Sequence, residues 1–266
     1  MTITTERPVS GIATSADGTR ITYDRRGQGP AVVLVGGAFS DRGWRGEVGL
    51  AEALADRFTT VTYDRRGRGD SSPAVAGYEV RREVEDLTAV VRELGASFVY
   101  GMSSGGVLVL HALVAGLPIR KAALYEPPFV SDGLPPADSA ERLRALIAAD
   151  DPAGAARYFL ASVMGVPAAF LALMRLTSGW KRAVRLAPSL PYDAEVMGDF
   201  RIPGDFQRIV TPTLVVGGGK SPRRLLAGVE MVASTVPGAR RVVLPGQNHD
   251  PKAAALAAEL RGFFAD

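Results

Sequence analysis

The sequence predicts an α/β fold: a mainly parallel, eight-stranded sheet with helices on both faces and one helical insertion. Three observations carry that prediction. Short β-branched runs alternate with segments of helical periodicity along most of the 266 residues, and repeated strand–helix units of this length imply parallel strands joined by crossover helices. The alternation halts once, over residues 131–204, and then resumes. The composition, 47% hydrophobic and 22% charged, is that of a chain that buries a core without cross-links.

The elements follow in order. Gly11–Thr14 and Arg20–Tyr23 flank Asp17-Gly18, a hairpin turn signal. After the breaker Gly27-Gln28-Gly29-Pro30, the run Ala31–Val35 is apolar throughout and predicts a strand buried on both faces. Leu50–Asp56 predicts a helix and Thr59–Tyr63 a strand. Val84, Leu87, Val90, Val91 and Leu94 give Val80–Leu94 a helical apolar stripe. Ser97–Tyr100 is a short strand, Gly105–Ala115 a helix and Lys121–Tyr125 a strand. From Ser131 to Gly204 the pattern is helical, cut by Pro135, Pro136, Pro152, Pro167, Pro188, Pro191 and Pro203. Pro212–Val216 (strand), Leu225–Ser234 (helix), Arg241–Leu244 (strand) and Ala253–Phe264 (helix) close the chain. The expected organisation is therefore a core of residues 1–130 and 205–266 with a helical cap over residues 131–204.

Composition removes several function classes. There are no cysteines, which excludes disulfide scaffolds, thiolate metal sites, iron–sulfur clusters and cysteine nucleophiles. Two histidines, His111 and His249, are too few for a histidine-rich metal centre, so no metal and no cofactor is expected. The net charge of +3 is spread among interspersed acids without a basic run, so no nucleic-acid partner is expected. No run of about 18 apolar residues is present, which removes a membrane-spanning helix. Met1–Pro8 is polar and lacks the apolar core of a signal peptide. A cytoplasmic protein is the expectation. The sequence sets no oligomeric state.

The chemistry-bearing motif is Gly101-Met102-Ser103-Ser104-Gly105, between a strand and a helix. A sharp strand-to-helix turn puts its middle residue in strained geometry, and flanking glycines remove side chains that would clash there. Ser103 is then presented at the carboxyl end of the sheet as a nucleophile. The backbone N–H of Ser104, at the helix N-terminus, points where an oxyanion would form. The competing reading is a Gly/Ser-rich loop without function. A bare G-x-S-x-G is common by chance, but its place between strand and helix makes it rarer.

With this motif the chain resembles the α/β-hydrolase family over nearly its whole length. The resemblance extends to Val32-Val33-Leu34-Val35-Gly36-Gly37-Ala38, where relatives often carry His-Gly, and to Asp64-Arg65-Arg66-Gly67-Arg68-Gly69-Asp70-Ser71, similar to a D-x-R-G-x-G-x-S loop. It implies an oxyanion hole made by the N–H groups of Ala38 and Ser104, and a general base, His249, delivered by the loop after the last strand. His111, on the helix behind Ser103, reads as a satisfied buried histidine. The family's acid usually follows the strand at Thr213–Val216, but the loop here is Gly217-Gly218-Gly219-Lys220, without a carboxylate. Glu126, directly after Lys121–Tyr125, keeps the required chain order Ser103, Glu126, His249. That arrangement resembles the fungal zearalenone lactonase group. Asp250 is the main rival, and a Glu that merely closes the entry to the insertion is the bland alternative.

In the inserted segment Tyr158, Phe159, Val163, Met164, Phe170, Leu173 and Met174 supply apolar surface at helical spacing, expected to form mostly the insert's own core. Phe39, Phe159, Met164 and Trp180 are the candidate substrate contacts, Trp180 through its similarity to a lid tryptophan of the lactonase group. The expected partner is a small hydrophobic or aromatic ester or lactone. Two other readings stand beside ester hydrolysis. One is different chemistry on the same scaffold (C–C hydrolysis, perhydrolysis, decarboxylation or cyclisation), and the other is a non-catalytic receptor for a small ligand. Haloalkane dehalogenases and epoxide hydrolases are disfavoured, since they carry Asp where Ser103 stands.

Overall fold

The computed structural model describes residues 7–265 apart from 74–76, 132 and 134. Met1–Glu6, most of the stretch in which no signal peptide is expected, lies outside the described residues, as do Asp132 and Leu134 of the insertion. Eight strands form one sheet: β1 (Val9–Thr14), β2 (Arg20–Arg26), β3 (Ala31–Val35), β4 (Thr59–Tyr63), β5 (Phe98–Met102), β6 (Lys121–Tyr125), β7 (Thr213–Gly218) and β8 (Arg240–Leu244). Their order is β1-β2-β4-β3-β5-β6-β7-β8. β1 and β2 pair antiparallel as the expected hairpin, with Thr14 opposite Arg20, and β2 pairs antiparallel with β4. All remaining pairs are parallel.

The alternating residues of each strand feed two cores. Val33, Val35, Val99, Leu124 and Val215 face one side, where α2 (Val80–Leu94), α3 (Ser104–Val114) and α9 (Arg223–Thr235) pack. Val32, Leu34, Phe98, Tyr100, Ala123 and Val216 face the other, covered by α1 (Arg45–Leu54) and α10 (Ala253–Ala265). β3 is buried along its entire length, which is why its sequence shows no alternation. A fully buried Val or Leu side chain there contributes about 1.5–3 kcal/mol. No described helix is long and apolar enough to cross a membrane.

The insertion between β6 and β7 is helical: α4 (Ser139–Ala148), α5 (Pro152–Tyr158) continuing as a π-turn over Phe159–Val163, α6 (Ala168–Met174), α7 (Ser178–Leu186), and α8 (Leu190–Met197). Phe159 and Val163 are buried, but Phe170 and Leu173 are 58% and 63% exposed. The expectation that they fill the insert's core fails there. α6 is a short helix that seats Leu171 inward and leaves the opposite side of its apolar sequence in solvent.

After β3 the chain passes to β4 on one side, and β5 returns on the other side of β3. Loops leaving β3 and β5 therefore diverge and open a crevice at the carboxyl ends of those strands, the place where parallel α/β sheets bind ligands.

Candidate active site

The loop after β3 and the turn after β5 meet at that crevice. Ser103 sits between β5 and α3 with φ 54° and ψ −125°, a conformation that costs an ordinary side chain of order 1–3 kcal/mol. Close packing enforces it. A Cβ on Gly105 would lie 2.3 Å from the Val35 carbonyl oxygen, and one on Gly101 would lie 2.7 Å from the Gly105 carbonyl oxygen. Only glycine lets the turn nest against β3 this tightly. Gly37 faces the same turn, where an added Cβ would come within 3.0 Å of the Ser103 Cβ.

Among the described residues five that are not glycine have positive φ: Phe39, Ser103, Glu126, Asp150 and Phe200. Phe39, Ser103 and Phe200 line one cavity, and Glu126 lies directly behind it, so backbone strain collects at this site. The cavity measures about 400 Å³ and lies between the strand ends and the insert. Ser103 and His249 both open onto it, amid apolar walls that include Phe159, Val163, Met164 and Met197.

His249 is carried by the loop after β8. Its Nδ1 lies 2.7 Å from Glu126 Oε2, and the second carboxylate oxygen accepts the Gly218 N–H at 2.7 Å. Glu126 is fully buried. With Nδ1–H donating to the carboxylate, Nε2 is left as the accepting nitrogen. Among the described residues no hydrogen bond yet joins the Ser103 hydroxyl to the ring. Asp250, the rival, pairs instead with Arg45 at 3.5 Å.

The glycines at the end of β7 explain how the histidine loop comes to lie beside Glu126. A Cβ on Gly218 would strike the Gln247 carbonyl oxygen and the Tyr125 hydroxyl, each at 2.7 Å. Lacking side chains, the end of β7 lets the histidine loop settle onto it, through Gly219 N–H to the Leu244 carbonyl and Lys220 N–H to the Gln247 carbonyl. Tyr125 donates to the Asn248 carbonyl at 2.5 Å, drawing the loop toward β6. Lys220 thus serves the loop through its backbone.

Neither the Ala38 nor the Ser104 N–H is spent on a turn or loop hydrogen bond among the described residues. Around them lies a buried ionic network. Arg65 pairs with Glu83 (2.6 Å) and Asp193 (2.8 Å), and Arg68 pairs with Asp193 (2.6 Å). Arg68 also donates to the Gly37 carbonyl at 2.7 Å, and the Ser104 hydroxyl donates to Asp193 at 2.7 Å. Burial pushes the Asp193 carboxyl up, but the Arg68 and Arg65 charges and the Ser104 hydroxyl outweigh it and hold it below the usual carboxylate range. Sequence reasoning missed Asp193 and also Glu47, a buried carboxyl on the cavity wall with no hydrogen-bond partner among the described residues.

Of the other candidates, Phe39, Phe159 and Met164 line the cavity. Trp180 does not. It packs against the core with Arg175 over its ring at 6.0 Å, while Gly179, Arg182 and Ala183 take its place on the wall. Gly179, Arg182 and Ala183 share one face of α7 and Trp180 is turned about 100° away from Gly179, and a lone tryptophan fixes no helix phase. His111 is partly buried with Nε2 3.1 Å from the Val196 carbonyl. Burial lowers its pKa, against the pull of that carbonyl.

The alpha/beta hydrolase family matches residues 31–259. An alpha/beta hydrolase from Sphaerobacter thermophilus DSM 20745 superposes with a TM-score of 0.89 at 45% identity, covering 96% of this chain and 100% of its own. A hydrolase from Pseudomonas aeruginosa PA01 superposes at 0.76 with 23% identity, covering 97% and 98% respectively. An esterase from Rhodococcus sp. ECU1013 does so at 0.68 with 22% identity over 97% and 98%. No curated protein matches the sequence.

Proposed function

Because the chain belongs to the alpha/beta hydrolase family, we propose that it is a serine hydrolase cleaving a carboxylic ester or lactone of a hydrophobic small molecule. The observation that carries this reading is Ser103, held at φ 54° on the cavity that receives an imidazole backed by Glu126 at 2.7 Å. A carboxylate on Nδ1 fixes the tautomer and stabilises the imidazolium that forms during turnover.

In this mechanism Nε2 of His249 takes the Ser103 proton as Oγ adds to the ester carbonyl. The negative charge passes to the carbonyl oxygen, which the Ala38 and Ser104 N–H groups receive. The C–O bond to the leaving group breaks, the imidazolium protonates the departing alkoxide, and an acyl-enzyme remains. His249 then deprotonates a water that attacks the acyl carbon. Collapse returns the proton to Ser103 and frees the carboxylic acid. In a lactone the leaving alcohol stays tethered to the acyl group.

The apolar walls around Phe39, Phe159, Met164 and Phe200 suit a hydrophobic acyl or alcohol part. Residues 131–204 act in this reading as the cap that closes over the substrate. An acid delivered from the end of β6 is the feature shared with the zearalenone lactonase group, and it supports including lactones. The test is hydrolysis of a panel of aryl esters and macrolactones by wild type and Ser103→Ala. Turnover by wild type and its loss by a factor of at least about 10³ in the variant is expected. Undiminished turnover by Ser103→Ala contradicts the mechanism, and tight ligand binding without turnover by wild type would make the site a receptor.

A further inference from the structure

We propose that Asp193, carried by the insert, is a positioning residue that makes the oxyanion hole depend on a seated cap; this rests on the serine-hydrolase reading above. Asp193 lies on α8, in the insert, and is completely buried. Its two oxygens reach both walls of the hole. Oδ1 accepts the Ser104 hydroxyl at 2.7 Å and Arg65 Nη1 at 2.8 Å, and Oδ2 accepts Arg68 Nη2 at 2.6 Å. Ser104 is one proposed oxyanion donor, so its side chain is tied directly to the insert. Ala38, the other, follows Gly37, whose carbonyl accepts Arg68 Nη1 at 2.7 Å; the preceding Gly36 carbonyl accepts Arg65 Nη1 at 3.3 Å. The peptide joining Gly37 to Ala38 is planar, so gripping the Gly37 carbonyl also fixes the direction of the Ala38 N–H.

The charges make this link obligatory. Two buried guanidiniums meet two buried carboxylates, Glu83 of α2 and Asp193 of the insert. Glu83 pairs with Arg65 alone among these arginines. Displacing α8 leaves Arg68 buried against the backbone carbonyls of Gly37 and Ser40 without its carboxylate. Arg68 then keeps only the nearby Glu47 carboxyl, which makes no hydrogen bond to it, and a buried guanidinium without its paired carboxylate is strongly unfavourable, so its hold on the Gly37 peptide is lost. An insert unseated at α8 therefore leaves the oxyanion hole without its aim.

The experiment compares wild type, Asp193→Asn and Ser104→Ala with an aryl ester and with two inhibitors. A trifluoromethyl ketone forms a hemiketal oxyanion on the nucleophile, whereas a simple aliphatic alcohol occupies the apolar cavity without one. For Asp193→Asn the expected result is a fall in kcat of about 10²-fold, within the range seen on losing oxyanion donors. KM and alcohol inhibition should stay within about threefold, and ketone affinity should fall in parallel with kcat/KM. Thermal unfolding is followed alongside. Should Asp193→Asn fail to fold, Ser104→Ala still decides, because it cuts only the hydroxyl tie. A several-fold loss shared by kcat and ketone affinity, with alcohol inhibition unchanged, is expected. A folded Asp193→Asn or Ser104→Ala that keeps full kcat and ketone affinity overturns the proposal, as does a loss confined to KM. If Ser103→Ala hydrolyses the ester as wild type does, the serine-hydrolase reading itself has failed, a result separate from the behaviour of Asp193.

Discussion

Two acidic side chains near the cavity behave in opposite ways because of what surrounds them. Glu126 is buried yet satisfied, with one oxygen on the Gly218 N–H and the other on the imidazole. Replacing it by Gln keeps the shape but turns a donor toward Nδ1 or weakens the bond to it. Glu126→Gln should lower kcat by about 10²–10⁴, the range expected when the imidazole loses its orienting carboxylate. Asp250→Asn should change kcat by less than about threefold, because Asp250 answers to Arg45. Steady-state kinetics with an aryl ester reads both, and the reverse ranking would reassign the acid. Glu47 has no hydrogen-bond partner among the described residues, and the Ser40 hydroxyl is spent on the Gly37 carbonyl. Burial pushes its pKa up to about 8, against the nearby Ser40 hydroxyl and Arg68. In the unfolded chain it titrates near 4.5. The folded form therefore binds the extra proton between these values, and its contribution is fully present below pH 4.5 and lost as pH rises through 8. That loss is on the order of 5 kcal/mol. Urea unfolding at pH 5 and pH 8 should show a smaller decline for Glu47→Gln than for wild type. Equal declines would mean that Glu47 ionises normally in the fold. Glu47 also accounts for Gly36, since a Cβ there would lie 2.4 Å from its carboxyl oxygen and 2.1 Å from Ser40 Oγ.

At the scale of elements, the strands and helices of the core were legible because each obeys a local rule. The β-branched run of β3, the apolar stripe of α2 and the G-x-S-x-G turn appear where the sequence places them, with ends shifted by a few residues. That Glu126 lies close to His249 agrees with the chain order Ser103, Glu126, His249. Trp180 was not correctly placed, because the phase of α7 is set by tertiary contacts. Asp41, in the loop after β3, takes Arg182 at 2.5 Å and Arg185 at 2.9 Å, turning their face of the helix toward that loop. Asp193 was invisible for the same kind of reason: it lies in the insert, 89 residues from Ser104 along the chain. Aromatic contacts also seat the insert. Phe39 meets Phe159 edge-on with centroids 5.5 Å apart, and Tyr78 stacks on Tyr192 at 4.1 Å. Asp41→Asn should loosen α7 specifically. Partly exposed pairs of this kind contribute about 0.2–1 kcal/mol each, so amide exchange over residues 178–186 should quicken several-fold while the central strands keep their protection. Unchanged exchange over α7 would show that the aromatic contacts suffice.

Over the whole molecule, the sheet fixes where chemistry can occur and the insert decides the shape of the space above it. Divergence of the chain at β3 and β5 opens the crevice, and three strand ends contribute Ser103, Glu126 and the loop to Ala38. The fold therefore brings Ser103 and His249 to one cavity, with Glu126 of the β6 end directly behind the imidazole. The most direct test of this reading is the site of covalent modification by a fluorophosphonate, mapped by peptide mass spectrometry. Stoichiometric phosphonylation of Ser103, slowed in Glu126→Gln and absent in Ser103→Ala, is the result expected. Labelling at another residue, or equal labelling of Ser103→Ala, would contradict an activated serine at this turn.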